Sequence, residues 1–238
     1  METILEISGV GKNFGGFTAL EGVDLKVASG ERLGLIGPNG SGKTTLINCI
    51  SGALFNDGGS IRFNGNEVSR KPAHERTRLG IARSFQIPRP FRSMTVLENL
   101  MVPFAYVCGI SGSKARAEAR EILGHMGLAD KADVLSSQLS QVELRKMELA
   151  RAMAARPKLL ISDEAMAGLA GAEVDEVIKI LFELNAMGIT IIMIEHIMQA
   201  VMSFSERVVC LDAGQIICEG TPAQVVADPY VQRAYLGD

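Results

Sequence analysis

The sequence lacks the features that define several classes of protein. Its net charge of −3 at pH 7 does not provide the basic excess that general nucleic-acid-binding proteins carry on one face. The longest apolar stretches, such as residues 101–110 with Pro103 inside, fall short of the ~20 residues that a bilayer-spanning helix needs. The first ten residues contain no basic patch followed by an apolar stretch, so we expect no secretory signal and a cytosolic chain. We therefore predict no nucleic-acid partner, and any role at a membrane requires another protein.

The sequence also lacks paired cysteines and a linker. None of its four cysteines stands in a CxxC spacing, and they are Cys49, Cys108, Cys210 and Cys218. Reduced and mostly buried thiols are favoured over a disulfide framework or a zinc site. The chain contains no internal repeat and no tract rich in Gly, Ser or Pro, which favours a single unit. Residues 70–92 hold seven basic side chains against the single acid Glu75, which is typical of either a solvated surface or a contact with an acidic partner.

The hydrophobic patterns predict a mixed α/β fold. Apolar and polar residues alternate over the first 30 residues and again around residue 60, which indicates half-buried antiparallel strands. The turn sequences FNGN at 63–66 and DAGQ at 212–215 predict hairpins. Compact apolar runs predict buried parallel strands, and they are RLGLIG at 32–37, KLLIS at 158–162 and TIIMIE at 190–195. Residues from about 87 to 155 show helix periodicity instead, which predicts a helical insertion.

The segment GPNGSGKTT fits the phosphate-binding pattern G-x-x-x-x-G-K-[ST] and stands between a predicted strand and a predicted helix. Glycines let backbone N–H groups turn inward around phosphates, and the helix N-terminus adds positive potential. We expect Lys43 to contact the γ-phosphate and the Thr44 hydroxyl to bind Mg²⁺. The predicted nucleotide-binding residues of this P-loop are Gly37, Pro38, Asn39, Gly40, Ser41, Gly42, Lys43, Thr44 and Thr45.

A magnesium–phosphate site also needs a carboxylate at the end of a neighbouring strand. The segment KLLISDE places Asp163 and Glu164 there. We expect Asp163 to act on Mg²⁺ through its water shell and Glu164 to act as general base on the attacking water. Taken alone, the acid pair is equally typical of a solvated loop.

The order of these motifs resembles the ABC transporter ATPase family over essentially all 238 residues. The resemblance implies ATP and Mg²⁺ as ligands, with Gln86 in SFQIPRPF touching the γ-phosphate and Mg²⁺ and coupling them to the membrane subunit. It further implies that His196 in IIMIEHIM contacts the γ-phosphate and that Phe14 in KNFGG stacks on adenine. Singly, these residues are typical of a loop amide, a polar strand end and a core aromatic. Together and in order, they favour the family.

The family fold implies an α/β P-loop NTPase with a RecA-like core, an N-terminal antiparallel β subdomain and a helical subdomain. We expect residues 1–238 to form one ABC ATPase domain. Its nucleotide-binding core is predicted at 1–86 and 156–238, and its helical subdomain at 87–155.

The segment LSQVE at 139–143 departs from the family signature L-S-G-G-Q, whose N–H groups close over ATP held by an opposite subunit. Ser140 and Glu143 form a capping box by spacing, and Ser140 is still expected to reach phosphate. Val142 adds bulk, and Glu143 adds a charge that repels a polyanion by at most roughly 3 kcal/mol at ~6 Å. Ala165 and Ala170 also replace family residues. We predict an asymmetric heterodimer with a second ATPase subunit.

Two segments, ARSFQIPRPFRSMTVLENL and GTPAQVVADPYVQRAYLG, look like the ATPase subunits of branched-chain amino acid importers and related amide uptake systems. The resemblance implies permease subunits as partners and a peripheral position on the cytoplasmic face of the inner membrane. The apolar stretch 94–105 is expected either to dock the membrane subunit or to pack in the core. A soluble or purely regulatory ABC ATPase stays an alternative, whereas a P-loop kinase or GTPase would lack Gln86, LSQVE and His196.

Overall fold

The computed structural model describes residues 2–85 and 88–236. Within these residues the strands are β1 (Thr3–Phe14), β2 (Phe17–Ala28), β3 (Arg32–Ile36), β4 (Gly58–Phe63), β5 (Asn66–Glu67), β6 (Ile81–Ser84), β7 (Leu159–Asp163), β8 (Thr190–Ile194), β9 (Arg207–Asp212) and β10 (Gln215–Gly220).

The described residues also form nine α-helices. They are α1 (Lys43–Ser51), α2 (Ala73–Leu79), α3 (Val96–Tyr106), α4 (Gly112–His125), α5 (Gln141–Ala154), α6 (Gly171–Ala186), α7 (Met198–Phe204), α8 (Pro222–Ala227) and α9 (Pro229–Leu236), with short 3₁₀ turns at Ala129–Lys131 and Ser136–Gln138.

The central layer is a six-stranded sheet in the order β10-β9-β3-β8-β7-β6. All neighbouring strands in it are parallel except β9 and β10. Successive residues of β7 alternate between the two faces, so that Leu160 enters one hydrophobic core and Ile161 the other. Such strands are buried on both sides, which explains their continuous apolar sequences. The predicted parallel strands and the predicted α/β P-loop fold are confirmed.

A second sheet, in the order β2-β1-β4-β5, is antiparallel. The β4–β5 turn places Asn64 and Gly65 at φ of 47° and 73°, and the β9–β10 turn places Ala213 and Gly214 at 43° and 80°. Two-residue turns with both residues at positive φ match the twist of paired strands. Both predicted hairpins are therefore confirmed.

Helix α1 is buried in the core that includes residues of both sheets. Arg76 of α2 is fully buried and donates to the Ile50 carbonyl at 2.9 Å, at the C-terminal end of α1, and to the carbonyl of Ser69 at 3.0 Å. Backbone carbonyls at a helix end otherwise lack partners. At least this part of the basic stretch 70–92 is thus structural rather than a solvated surface.

The helices α3, α4 and α5 pack on one another in the other hydrophobic core. A capping box between Thr95 and Glu98 begins α3, and Leu97, Leu100 and Phe104 bury its inner face. The core-packing interpretation of the apolar stretch 94–105 therefore holds for this inner face.

Cys49 and Cys210 are buried, whereas Cys108 and Cys218 are only partly so, and all four thiols are free. The expectation of mostly buried thiols therefore holds for two of the four. None of the helices in the ranges 2–85 and 88–236 has both the length and the apolar character needed to cross a membrane.

Candidate functional site

Three neighbouring strands of the six-stranded sheet end at the same edge. Strand β8 lies between β3 and β7, and both pairings are parallel. Gly37 follows β3, Glu164 follows β7, and His196 comes two residues after β8. The carboxyl edge of an open parallel sheet is the usual place for a ligand. The fold therefore gathers the P-loop, the acid pair and the histidine from distant parts of the chain.

At two glycines of the P-loop, a neighbouring backbone segment lies so close that a side chain would not fit. Gly37 has a φ of 150°, and a Cβ there would lie 2.0 Å from the Leu211 carbonyl oxygen. Gly42 has a φ of 106°, and a Cβ there would lie 2.6 Å from the Ala19 carbonyl oxygen. Only glycine fits such positions without moving the backbone. These glycines therefore allow the backbone to turn tightly directly before α1.

Lys43 is the first residue of α1, and its ammonium group points back into this tight turn. Its Nζ donates to the carbonyls of Gly37 and Pro38 at 2.7 and 2.9 Å. Burial lowers the pKa of Lys43, while the nearby Glu164 carboxylate opposes this effect. A cation at a helix N-terminus adds to the positive potential of the N–H groups there. The arrangement suits an anion such as a phosphate.

Glu164 and His196 are brought into direct contact. The Glu164 Oε1 and His196 Nε2 atoms lie 3.1 Å apart. Glu164 has a φ of 48°, which is uncommon for a side chain of this kind, and its N–H donates to the Ile194 carbonyl at 2.9 Å. The side chain of Glu164 is 17% exposed and that of His196 is 52% exposed. The end of β8 thus fixes a carboxylate and an imidazole side by side at the mouth of the site.

One cleft of about 350 Å³ joins most of the predicted residues. It is lined by Phe14, Phe17, Ala19, Asn39, Gly40, Ser41, Gly42, Lys43, Thr44, Thr45, Glu164 and His196. Gly37 and Pro38 do not line it but accept the Lys43 ammonium. The cleft therefore combines an aromatic end, a cationic loop and a carboxylate–imidazole pair, which suits a ligand with a flat ring and a phosphate chain.

Asp163 is buried beside Arg83, not exposed in the cleft. An Arg83 guanidinium nitrogen lies 2.6 Å from Asp163 Oδ2, and both side chains are about one-tenth exposed. The same guanidinium donates to Asn48 Oδ1 on α1 at 2.6 Å and covers the ring of Phe85. Asp163 is thus held at the edge of the sheet by a charge-assisted hydrogen bond.

The oxygen donors at this edge fit Mg²⁺, which prefers one or two carboxylates together with waters and substrate phosphates. Thr44 supplies a hydroxyl at the start of α1, and Asp163 supplies a carboxylate at the end of β7. Within the described ranges, no three or more His, Cys, Asp or Glu side chains cluster closely enough to hold a metal ion. Mg²⁺ usually takes its remaining ligands from waters and substrate phosphates, and a nucleotide bound here would offer the latter.

Ser140 lies on the helical side and is not among the residues that line the cleft. Its Oγ accepts the Glu143 N–H at 3.3 Å, and Glu143 Oε2 accepts the Ser140 N–H at 2.8 Å. Glu143 also forms an ion pair with Lys131 at 3.4 Å. The pKa of Glu143 is held below its usual value by the Ser140 N–H, the Ser140 side chain and Lys131. The ion pair with Lys131 partly neutralises this carboxylate, so its repulsion of a polyanion is smaller than the upper bound of roughly 3 kcal/mol. Gln86 lies outside the described residues.

Three residues at the site escaped the sequence analysis. Phe17 pairs with Phe14 across the tight β1–β2 turn, and the spacing F-G-G-F signals this. Arg83 stands in the basic stretch, but its partner is 80 positions away. The hydroxyl of Tyr235 on α9 accepts the Gly37 N–H at 2.8 Å, and no local pattern predicts a contact across 198 positions.

Comparison with known proteins agrees with this geometry. The ABC transporter family pattern matches residues 20–167, and a pattern described as branched-chain amino acid ATP-binding cassette transporter matches residues 215–238. The high-affinity branched-chain amino acid transport ATP-binding protein BraF of Pseudomonas aeruginosa is 37% identical, over 99% of this chain and 98% of that protein.

Solved structures agree as well. An ATP-binding cassette of an ABC transporter in its ADP conformation superposes with a TM-score of 0.91 at 34% identity, over the whole of both chains. A dimeric cassette in a post-hydrolysis state, bound to ADP and Pi, gives a TM-score of 0.83 at 26% identity, over 92% of this chain and 99% of that one. The chain belongs to the ABC transporter family. Within that family it is a nucleotide-binding cassette with ATPase activity.

Proposed function

We propose that this chain is the ATP-hydrolysing subunit of a membrane importer for branched-chain amino acids or related amides. The observation that carries the proposal is the cleft in which the P-loop faces the paired Glu164 and His196. The name of BraF and the family match of the last 24 residues support the substrate class. Its place is the cytoplasmic face of the membrane, bound to permease subunits.

Each residue of the cleft has a definite task in this proposal. Phe14, with Phe17 beside it, provides the apolar surface for adenine, and the P-loop N–H groups and Lys43 hold the phosphates. Glu164 accepts a proton from the attacking water, and His196 orients Glu164 and contacts the γ-phosphate. Bound Mg²⁺ would supply positive charge against the phosphate oxygens, with Thr44 as a ligand and Asp163 acting through the water shell of the ion. Gln86 is proposed to join this site to the permease.

A groove near the end of α3 is the proposed contact for the permease. It encloses about 330 Å³, and its wall includes Phe85, Val102, Pro103 and Tyr106. Tyr106 is 76% exposed and Phe85 is 45% exposed, although large aromatic side chains are normally more buried. The inner face of α3 packs in the core, so the outer face and the end of the helix remain for the partner.

We further propose a heterodimer with a second ATPase subunit. The motivation is the contrast between an intact P-loop with its acid pair and the signature segment, where Gln141 and Val142 replace family glycines. A homodimer would carry this defect at both composite sites, whereas a heterodimer carries it once. Ser140 is proposed to reach the γ-phosphate of ATP held by the second subunit.

The test is ATP hydrolysis by the complex obtained when the chain is co-expressed with the proteins encoded beside it. We expect magnesium-dependent turnover that Lys43→Ala abolishes together with ATP binding. Glu164→Gln is expected to bind ATP but not to hydrolyse it, and to trap a stable dimer of cassettes. Vesicles containing the complex should accumulate radiolabelled leucine when ATP is supplied on the cassette side. Turnover that survives Lys43→Ala would refute the site.

Two controls separate the finer parts of the proposal. Brisk ATP turnover by the isolated chain would contradict the heterodimer. Tyr106→Arg should reduce the stimulation of ATPase activity by the permease and leave ATP binding intact. The matched variant Tyr230→Arg changes a similarly exposed aromatic on α9 and should leave this stimulation unchanged.

A further inference from the structure

The segment that follows the proposed general base, residues 164–170, is held from two directions, and we name it the Glu164 loop. From the end of β8, the buried side chain of Glu195 accepts the N–H of Met166 on its Oε1 at 2.9 Å. From α5, the buried guanidinium of Arg145 donates to the carbonyl of Ala167 at 3.1 Å. The two contacts fall on consecutive residues of the loop.

The Glu195 contact is buried, and the Arg145 contact is partly buried. Glu195 is 4% exposed, Arg145 is 7% exposed and Met166 is fully buried. Water does not readily replace a hydrogen bond at such depth, so an N–H that loses its acceptor there is costly. The contacts therefore determine where the loop lies, in a way that surface hydrogen bonds do not.

Three consecutive residues at the end of β8 contact the Glu164 loop. The Ile194 carbonyl accepts the Glu164 N–H, and the Glu195 carboxyl group accepts the Met166 N–H. His196 then contacts the Glu164 carboxylate itself. Fixing the loop at Met166 thus fixes the backbone that carries Glu164, whose unusual φ of 48° needs support from its surroundings.

We propose that Glu195 is a positioning residue for ATP hydrolysis, which holds the Glu164 loop so that the Glu164 carboxylate stays beside His196. Arg145 performs the same task from the helix that begins at LSQVE. A shift of α5 is in this way transmitted to the Glu164 loop. The inference rests on the proposed function for its kinetic consequence, but the hydrogen bonds that carry it do not depend on that function.

The charge of Glu195 is compatible with this role. Burial raises its pKa to about 7; the Met166 N–H and Arg145 oppose this shift, and the carboxylates of Glu164 and Asp163 reinforce it. The carboxyl group keeps an oxygen that accepts the Met166 N–H whether or not it is protonated. A glutamine at position 195 provides the same acceptor, whereas an alanine does not.

The experiment compares Glu195→Ala with Glu195→Gln in two measurements. In the isolated full-length chain, hydrogen–deuterium exchange of peptides covering 164–170 should be at least tenfold faster in Glu195→Ala than in wild type, and within threefold of wild type in Glu195→Gln. In the ATPase complex, Glu195→Ala should lower kcat at least tenfold, which corresponds to about 1.4 kcal/mol. The Kd for ATP should stay within twofold of wild type, and Glu195→Gln should restore most of kcat.

The outcomes separate this inference from the proposed function. A wild-type complex without magnesium-dependent ATP hydrolysis refutes the proposed function, and the exchange measurement then decides by itself whether Glu195 holds the loop. A Glu195→Ala variant with wild-type kcat, or a Glu195→Gln variant as impaired as Glu195→Ala, overturns the inference. Glu183→Ala, on the exposed face of α6, is the matched control and should change neither measurement. If Glu195→Ala does not fold, Arg145→Ala takes its place in the exchange measurement, with faster exchange supporting the inference and unchanged exchange opposing it.

Discussion

Replacing Glu195 by glutamine should stabilise the protein at alkaline pH and have no such effect in acid. The pKa of Glu195 is about 7 in the folded chain, against 4.5 for an ordinary glutamate, chiefly because the side chain is buried. The folded state therefore binds this proton more tightly than the unfolded state does. The stability that the proton provides is fully present below about pH 4.5 and is lost as the pH rises through about 7.

The size of the effect follows from the same two pKa values. A pKa of about 7 in place of 4.5 corresponds to roughly 3 kcal/mol, at about 1.4 kcal/mol for each pH unit. In the Glu195→Gln variant the side chain at position 195 is neutral at every pH, so raising the pH does not remove this stabilisation. Part of this energy is already lost at pH 5, so the free energy of unfolding of the variant relative to wild type should rise by about 2.5 kcal/mol between about pH 5 and about pH 8.5.

Urea unfolding followed by circular dichroism at these two pH values measures the difference. The matched control is Glu183→Gln, which removes the same charge from the exposed face of α6 and should show nearly the same offset at both pH values. The reasoning would be refuted if the free energy of unfolding of Glu195→Gln differed from that of wild type by the same amount at pH 5 and pH 8.5. Such a result would mean that Glu195 is ionised in the folded chain at both pH values.

Three further substitutions test contacts described above. Arg83→Ala leaves the buried Asp163 carboxylate without its partner at 2.6 Å, and we expect urea unfolding to show a loss of about 3 kcal/mol. Tyr235→Phe removes the acceptor of the Gly37 N–H, and isothermal titration should show ATP binding weaker by about fivefold, or roughly 1 kcal/mol. Ser140→Ala removes the side-chain cap of α5, and urea unfolding should show a loss of about 1 kcal/mol.

Each of these substitutions has a control within the chain. Arg62→Ala breaks an exposed ion pair and should cost less than about 1 kcal/mol, so an equal cost for Arg83→Ala would contradict the importance of burial. Tyr230→Phe changes an exposed tyrosine on the same helix and should leave ATP affinity alone. Ser111→Ala removes the N-cap serine of α4, which makes no side-chain cap hydrogen bond. A loss for Ser140→Ala no larger than that for Ser111→Ala would show that the cap contributes little.

The parts of the fold that the sequence predicts are those with strong local patterns. The apolar strands β3, β7 and β8 are recognisable because a strand buried on both faces has no polar alternation. The pair Asn64 and Gly65 predicts a hairpin because both residue types tolerate positive φ. In contrast, Ile81–Ser84 is a four-residue strand that contains Arg83, and its apolar content alone does not distinguish it from a loop.

The site divides in the same way. Gly37 and Gly42 of the P-loop are recognisable because the carbonyl oxygens of Leu211 and Ala19 leave no room for a side chain there. The neighbours of the predicted residues are harder to find, since Arg83 meets Asp163, Glu195 meets Met166 and Tyr235 meets Gly37 only after the sheet has formed. These partners are separated by tens to almost 200 positions, and periodicity carries no information at such range.

The two hydrogen bonds from the Lys43 ammonium to backbone carbonyls order this side chain before any phosphate binds. The four-carbon side chain is already immobilised, so its rotational freedom, worth up to about 2 kcal/mol, is lost when the chain folds and not when the anion arrives. A phosphate that binds there meets an ammonium group whose side chain is already ordered. The cradle is preorganised, and its selectivity for polyanions is set by charge rather than by rearrangement.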